Sequence, residues 1–428
     1  MRIYFVGVGG TGIGPLALIA SKAGYDVSGS DQRDSEYLKY LMNSGLTDIA
    51  VASDEQHLAG LHEQSAIDWV VTTSAAEKEQ SDHPILRYAR ANNIKVTKRD
   101  EFLSQLIKEK SLKLIAIAGT HGKTTTTAMV VWLFKQLELP VSYSVGAKLS
   151  FGQMGEYDPR AEYFVYECDE YDRNFLSFEP EISVLSGIDY DHPDIYPTRE
   201  EYYEAFRQFV GQSKTTIAWA SDAEKLGVQG DKAVITMAEQ PLGLASLTLL
   251  GAVNRKDARL AMQALAEVTD EDVETLAKIM NVFPGVSRRF EMIAPNIISD
   301  YAHTPDKIRG ALQLAHEVAG KNVVVVYEGL HNTRQHFIKD ELEHLFDGVK
   351  KLYIVPSYRA RENESLEDLT PEKLAELVSE KEKTEPASLN NSLKSIISKH
   401  AQSSDLVLCL TAGSGGSLDE WLRINFIR

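Results

Sequence analysis

The chain has 428 residues, more than one ordinary domain accommodates, so two or three domains are expected. Its 62 acidic residues against 45 basic ones leave a formal charge of -17, which argues against a general nucleic-acid binder but not against a local site for small anions. No stretch approaches the roughly twenty apolar residues of a membrane span, and no cleavage-site pattern precedes the first apolar run, so neither a membrane segment nor a signal peptide is expected. Cys168 and Cys409 lie far apart without metal spacing, which suits a reduced cytoplasmic setting.

The chain opens on a strand-like run, Ile3-Tyr4-Phe5-Val6, followed by Gly7-Val8-Gly9-Gly10-Thr11-Gly12 and a helical stretch to Ala23. A second strand, Tyr25-Asp26-Val27-Ser28-Gly29, leads to Ser30 and Asp31. Glycines after a first strand and an acidic residue after the second are what a dinucleotide-type βαβ unit needs, although the last glycine comes one place early for G-x-G-x-x-G. The loop can face phosphates, with Asp31 near a ribose or base; glycines serving strand–helix packing alone are the other reading. Further strand-like runs at 69–73 and 94–97 flank a helical pattern, and alternation of this kind predicts a parallel sheet. A charged helix over 102–110 ends the segment.

The second segment begins with Leu114-Ile115-Ala116-Ile117-Ala118, then Gly119-Thr120-His121-Gly122-Lys123-Thr124-Thr125-Thr126-Thr127, with a helix expected from Ala128 to Leu137. A strand, a glycine-punctuated loop and a helix make a phosphate cradle, because free N–H groups and the helix dipole attract anions. Lys123 reaches the outer phosphates and the Thr124 hydroxyl can hold magnesium. Only Thr120 and His121 separate the two glycines, so the loop is shorter than a full P-loop. Strands are expected at 141–145 and 163–166, the latter running into Glu167-Cys168-Asp169-Glu170-Tyr171-Asp172. Four carboxylates in six residues repel one another unless a cation joins them, and their place after a strand favours magnesium over a merely solvated loop. A strand at 182–185 precedes a second acidic cluster, Asp189-Tyr190-Asp191-His192-Pro193-Asp194, suited to another metal or a γ-phosphate contact.

Beyond it the pattern predicts a helix at 200–210, a strand at 215–219 and helices at 254–268 and 271–280, with 222–250 unassigned. Phe283-Pro284-Gly285-Val286-Ser287-Arg288-Arg289-Phe290-Glu291 reads as a hinge. A third alternating segment follows, with strands at 297–300, 323–327 and 405–410 and a glycine turn at 413–416. At Asp300-Tyr301-Ala302-His303-Thr304-Pro305, Thr304 or His303 can cap a helix and Pro305 suits its first position.

As an ordered series these motifs resemble the Mur ligase family, most closely its alanine-adding branch, over nearly the whole chain. The resemblance implies an α/β fold of three domains: a Rossmann-like UDP-sugar domain at 1–109, a central P-loop ATPase-type domain with a mostly parallel sheet at 110–293, and a Rossmann-like amino-acid domain at 294–428. It implies a cytoplasmic ATP- and Mg2+-dependent ligase of peptidoglycan precursor synthesis. Its partners would be UDP-N-acetylmuramate and L-alanine, with no nucleic acid or membrane and with homodimerisation left open. Lys123, Glu167 and His192 would be catalytic, and Thr124, Glu167 and His192 would hold metal. Gly119, Thr120, His121, Gly122, Lys123, Thr124, Thr125, Asn254, Arg289, Asp300 and His303 would contact the nucleotide. Gly9, Gly10, Thr11, Asp31 and Arg334 would face substrates.

The departures from the family pattern concern the acceptor. Leu330-His331-Asn332-Thr333-Arg334 replaces the usual H-R-Y-S-R, and Gly187 stands where asparagine is usual. Asn332-Thr333 and Tyr171 resemble the recycling branch, which attaches a preformed tripeptide to the same sugar nucleotide. A non-catalytic sensor of UDP-sugar or ATP is the reading from another class; the joint presence of Lys123, Thr124, Glu167 and His192 argues against it.

Overall fold

The computed structural model describes residues 1–34, 36–52, 54–73, 83–192, 195–238, 247–359, 362–363, 365–413 and 415–427. The chain packs as two compact units, 1–247 with 257–283, and 248–256 with 284–428. The first unit holds two sheets and the second holds one, giving the expected three α/β domains. No helix among the described residues is long and apolar enough to cross a membrane.

The first sheet contains β1 (Arg2–Val6), β2 (Asp26–Asp31), β3 (Ile49–Val51), β4 (Trp69–Thr72) and β5 (Lys95–Lys98), all parallel in the order β3-β2-β1-β4-β5. This is Rossmann order, with the switch point beside β1, where the first glycine loop emerges. Its helices are α1 (Gly14–Lys22), α2 (Glu36–Asn43), α3 (Gln56–Gln64), α4 (Pro84–Ala91) and α5 (Arg99–Glu109).

The second sheet is built from β6 (Lys113–Ala118), β7 (Val141–Ser144), β8 (Gly155–Glu156), β9 (Tyr163–Glu167), β10 (Ile182–Leu185), β11 (Thr215–Trp219) and β12 (Val234–Met237). Its order is β12-β11-β10-β6-β9-β7-β8, parallel except for β7 against β8. Interior strands such as Ile182-Ser183-Val184-Leu185 are buried on both faces, as helix-covered parallel strands must be. The helices are α6 (Lys123–Gln136), α7 (Arg199–Gln212) and α8 (Ala220–Leu226), followed by α9 (Ala252–Ala266) and α10 (Val273–Met280). The stretch left unassigned from sequence contains most of α8 and all of β12, while residues 239–246 lie outside the described ones.

The third sheet runs β13 (Glu291–Ala294), β14 (Ile297–Asp300), β18 (Leu406–Leu410), β15 (Val323–Leu330), β16 (Lys351–Tyr358) and β17 (Thr384–Pro386), antiparallel only between β13 and β14. It is covered by α11 (Pro305–Ala319), α12 (Asn332–Ile338), α13 (Pro371–Leu377), α14 (Asn391–Gln402) and α15 (Leu418–Phe426). β16 was not anticipated. At α11, Pro305 does take the first turn, but the Thr304 side chain makes no cap bond and its buried hydroxyl has no hydrogen-bond partner among the described residues.

Candidate active site

Three strand ends build the site. β6 is flanked by β10 and β9, so the loops after all three open at one edge of the sheet. These loops carry the glycine-lysine motif, the second acidic cluster and the first acidic cluster, respectively.

The helix after the phosphate loop begins at Lys123, five residues earlier than the apolar pattern predicts. The threonines are therefore helical: Thr124, Thr126 and Thr127 are buried, and the Thr127 hydroxyl donates to Lys123 O at 2.7 Å, a back-bond that accommodates a β-branched residue in the first turns. Gly119 has φ +138°, and a Cβ there would lie 2.8 Å from Gly187 O, so only glycine permits the loop to close against the end of β10. Thr120 completes the closure. Its N–H donates to Gly187 O at 2.7 Å, and its hydroxyl donates to Asp189 O at 2.6 Å and accepts from Asp189 N at 2.9 Å.

Lys123 Nζ donates to Gly119 O and, at 2.7 Å, to Glu170 Oε2. Burial pulls the Lys123 pKa down most strongly, but Glu170 and Asp169 overcome it and the net shift is upward. Burial likewise works to raise Glu170, and Lys123 and His192 together leave it well below the ordinary carboxylate range. Both groups are thus held charged. His192 Nε2 lies 3.7 Å from Glu170 Oε1, its ring stands edge-on to Tyr171 at 5.0 Å, and its backbone has φ +58°. Against the downward pull of burial, Glu170 and Asp191 raise its pKa. Pro193 and Asp194, the end of the second acidic cluster, lie outside the described residues.

Thr124 Oγ1 is 2.7 Å from Glu167 Oε1, and Glu167 Oε2 accepts from Gly146 N at 2.9 Å. Around this point Asp100, Glu167, Asp169, Glu170 and Asp172 gather, faced by Lys98, Arg99 and Lys123. With His192 beside Glu170 and Asp191 beside His192, carboxylates outnumber the cations and the cluster is net negative. An adjacent hydroxyl and carboxylate are hard oxygen donors that suit magnesium, so the residues present fit it. Among them Lys98, Arg99 and Asp100 were not singled out from sequence, and Glu170 only as one of the acidic cluster and not as the partner of Lys123. The pairings of Glu170 with Lys123, Arg99 with Asp169 and Asp100 with Tyr166 join residues 47 to 70 positions apart and leave no local pattern.

At the first glycine loop, Asp31 faces inward. Its Oδ2 accepts from Gly9 N at 2.9 Å and its Oδ1 from Arg33 N at 3.0 Å, so it shapes the loop in which Gly10 and Thr11 are exposed.

The remaining expected residues belong to the second unit. Asn254 Nδ2 donates to Leu250 O at 2.9 Å. The guanidinium groups of Arg288 and Arg289 lie 4.6 and 4.7 Å from the centre of the Tyr301 ring. Asp300 accepts from Phe290 N at 2.7 Å and from Ala302 N at 2.8 Å, pinning the turn in which Arg288 and Phe290 have positive φ. His303 Nδ1 lies 2.8 Å from Tyr301 O, and burial, followed by Lys307, drives its pKa well down, so the ring is neutral. Arg334 lies on α12.

Family comparison decides the class. The description "Mur ligase family, catalytic domain" matches residues 2–111, "Mur ligase middle domain" matches 117–242, and "Mur ligase, glutamate ligase domain" matches 288–415. The chain belongs to the Mur ligase family. It is accordingly an enzyme of the ATP-dependent, amide-forming ligase class. It is 30% identical to the UDP-N-acetylmuramate–L-alanine ligase of Myxococcus xanthus over 88% of this chain and 84% of that one. The namesake from Gloeobacter violaceus is 28% identical over 96% and 93%. Among solved structures, a UDP-N-acetylmuramate-alanine ligase from Thermotoga maritima superposes with a TM-score of 0.78 at 25% identity, covering 99% of this chain and 98% of that one. A murein peptide ligase from Psychrobacter arcticus shares the fold, with a TM-score of 0.66 at 23% identity over 99% of each chain.

Proposed function

We propose that this Mur ligase joins L-alanine to the lactyl carboxylate of UDP-N-acetylmuramate in peptidoglycan precursor synthesis in the cytoplasm. The three domains would divide the work near residues 109 and 293. The observation that carries this reading is the meeting of Lys123, Thr124, Glu167, Glu170 and His192 at three adjoining strand ends, in a chain whose relatives bear that activity in their names.

The chemistry follows from charge. A carboxylate oxygen of the sugar attacks the γ-phosphorus of ATP, the bond to the bridging oxygen breaks with its electron pair going to ADP, and an acyl phosphate forms. The alanine amine then attacks the acyl carbon, phosphate leaves with the bonding pair, and the amine loses a proton. In the first step an anion approaches an anion, so neutralisation and alignment dominate the barrier. Lys123 leaves Glu170 for the transferring phosphoryl group, and the N-terminus of α6 receives the inner phosphates. Thr124, Glu167 and His192 are the residues that would hold magnesium, which would supply further neutralisation of the outer phosphates. Asn254, Arg289, Asp300 and His303 are assigned to the nucleotide, Arg334 to the acceptor, and Gly9, Gly10, Thr11 and Asp31 to the sugar-nucleotide loop.

The test is phosphate release with UDP-N-acetylmuramate and ATP, offering L-alanine, glycine, L-serine or the tripeptide in turn. Turnover with L-alanine supports the proposal. Turnover with the tripeptide alone transfers the assignment to the recycling reaction, and turnover with no acceptor removes both.

A further inference from the structure

Arg99, the first residue of α5, reaches from the first domain to the acidic loop of the second, within one compact unit. Its Nε donates to Asp100 Oδ2 at 3.1 Å and its Nη2 to Asp169 Oδ2 at 2.9 Å. Asp100 is itself fixed by the Tyr166 hydroxyl at 2.7 Å. The guanidinium is thereby locked in plane on two of its three sides. Its third nitrogen, Nη1, has no acceptor among the described residues and points at the first glycine loop: a Cβ placed on Gly12 would overlap it. The side chain is only 17% exposed. A nearly buried guanidinium with one N–H2 unengaged, aimed at a loop of exposed backbone, is arranged as a donor to an anion arriving on that loop.

Resting on the function proposed above, we infer that Arg99 is a substrate-positioning residue whose Nη1 donates to an anionic oxygen of the sugar nucleotide. That oxygen belongs either to its diphosphate or to its lactyl carboxylate. Asp100 and Asp169 set the plane of the fork, so the anion is received at a fixed angle beside the loop that bears Glu167 and Glu170. The sugar nucleotide and the phosphate-transfer machinery are then referenced to one side chain.

Two variants separate this role from a structural one. Arg99→Gln removes the donor but also unpairs two carboxylates. Gly12→Ala keeps every charge and introduces no left-handed strain, since Gly12 has no positive φ, yet its methyl group displaces Nη1. Calorimetric Kd values are measured for UDP-N-acetylmuramate, for UDP-N-acetylglucosamine, which lacks the lactyl group, and for ATP. The expected result is at least a tenfold loss of UDP-N-acetylmuramate affinity in each variant, no additional loss when they are combined, and ATP affinity within twofold for Gly12→Ala. Sparing of UDP-N-acetylglucosamine identifies the carboxylate as the partner; equal loss identifies the diphosphate. The inference is overturned if Gly12→Ala binds the sugar nucleotide normally, or if its methyl group costs as much with glutamine at 99 as with arginine. A wild-type protein that binds neither sugar nucleotide overturns the functional reading itself, and this inference with it.

Discussion

Lys123 and Glu170 form an ion pair of 2.7 Å in which the carboxylate is almost fully buried and the ammonium 17% exposed. Removing one member of such a pair strands the other, at a cost on the order of 3–5 kcal/mol. Lys123→Met should therefore lower the melting temperature and reduce phosphate release by at least about 10²-fold, while UDP-sugar binding is retained. Adding Glu170→Gln should restore much of the stability and none of the turnover. A singly substituted Lys123→Met enzyme that turns over normally would remove Lys123 from the mechanism.

Glu167 shares a short contact with Thr124 and has no basic side chain bonded to it among the described residues. Chelation of divalent ions should stop phosphate release, because the outer phosphates then lose a neutralising cation. Glu167→Gln should raise the magnesium concentration for half-maximal rate by about tenfold or more, following the usual cost of losing a carboxylate ligand. A magnesium titration at saturating ATP decides it; coincident curves would count against Glu167 as a ligand.

In the second unit Glu328 is 2% exposed, accepting from the Thr411 hydroxyl at 2.5 Å and from Leu418 N, at the start of α15, at 2.9 Å. Burial pushes its pKa up from the ordinary 4.5 to about 7, against the pull of those two donors. The native state thus keeps a proton that the unfolded chain has already released. The contribution is present below pH 4.5 and is lost as pH rises toward 7, a swing of roughly 3 kcal/mol. Glu328→Gln should flatten this decline. Thermal melts at pH 5 and pH 8 should differ less for the variant than for the wild type, and an unchanged difference would contradict the assignment.

Gly187 holds φ +153°, a region essentially reserved for glycine, and offers its carbonyl to Thr120 N. Restoring the asparagine more usual in the family should destabilise the protein by about 1–3 kcal/mol and loosen the phosphate loop, raising the KM for ATP. Urea unfolding and ATP kinetics on Gly187→Asn read both effects.

Much of this architecture is legible in the chain. The strands at 182–185, 215–219 and 297–300 coincide with the short β-branched and apolar stretches that announce them, because largely buried strands are rich in such residues. The phosphate loop is announced by its glycines, and the acidic loop by its improbable charge density. What stays hidden is relational. Nothing near Lys123 announces Glu170, and nothing near Arg99 announces Asp169, since each pairing is made by strand order. Asp31 and Asp300 show the converse: an acidic residue at a strand end suggests a ligand contact, while its oxygens are held by neighbouring backbone N–H groups. The early start of α6 escapes a pattern read from apolar spacing, because its first turns are threonines.

The central position of β6 also has a bearing on biosynthesis. Its two flanking strands come from roughly 50 and 70 residues downstream, so a ribosome-bound fragment ending before β10 displays the glycine-lysine loop with one wall missing. On the function proposed above, full nucleotide capture would then await the emergence of residues past 190, well after the glycine-lysine motif itself has left the ribosome.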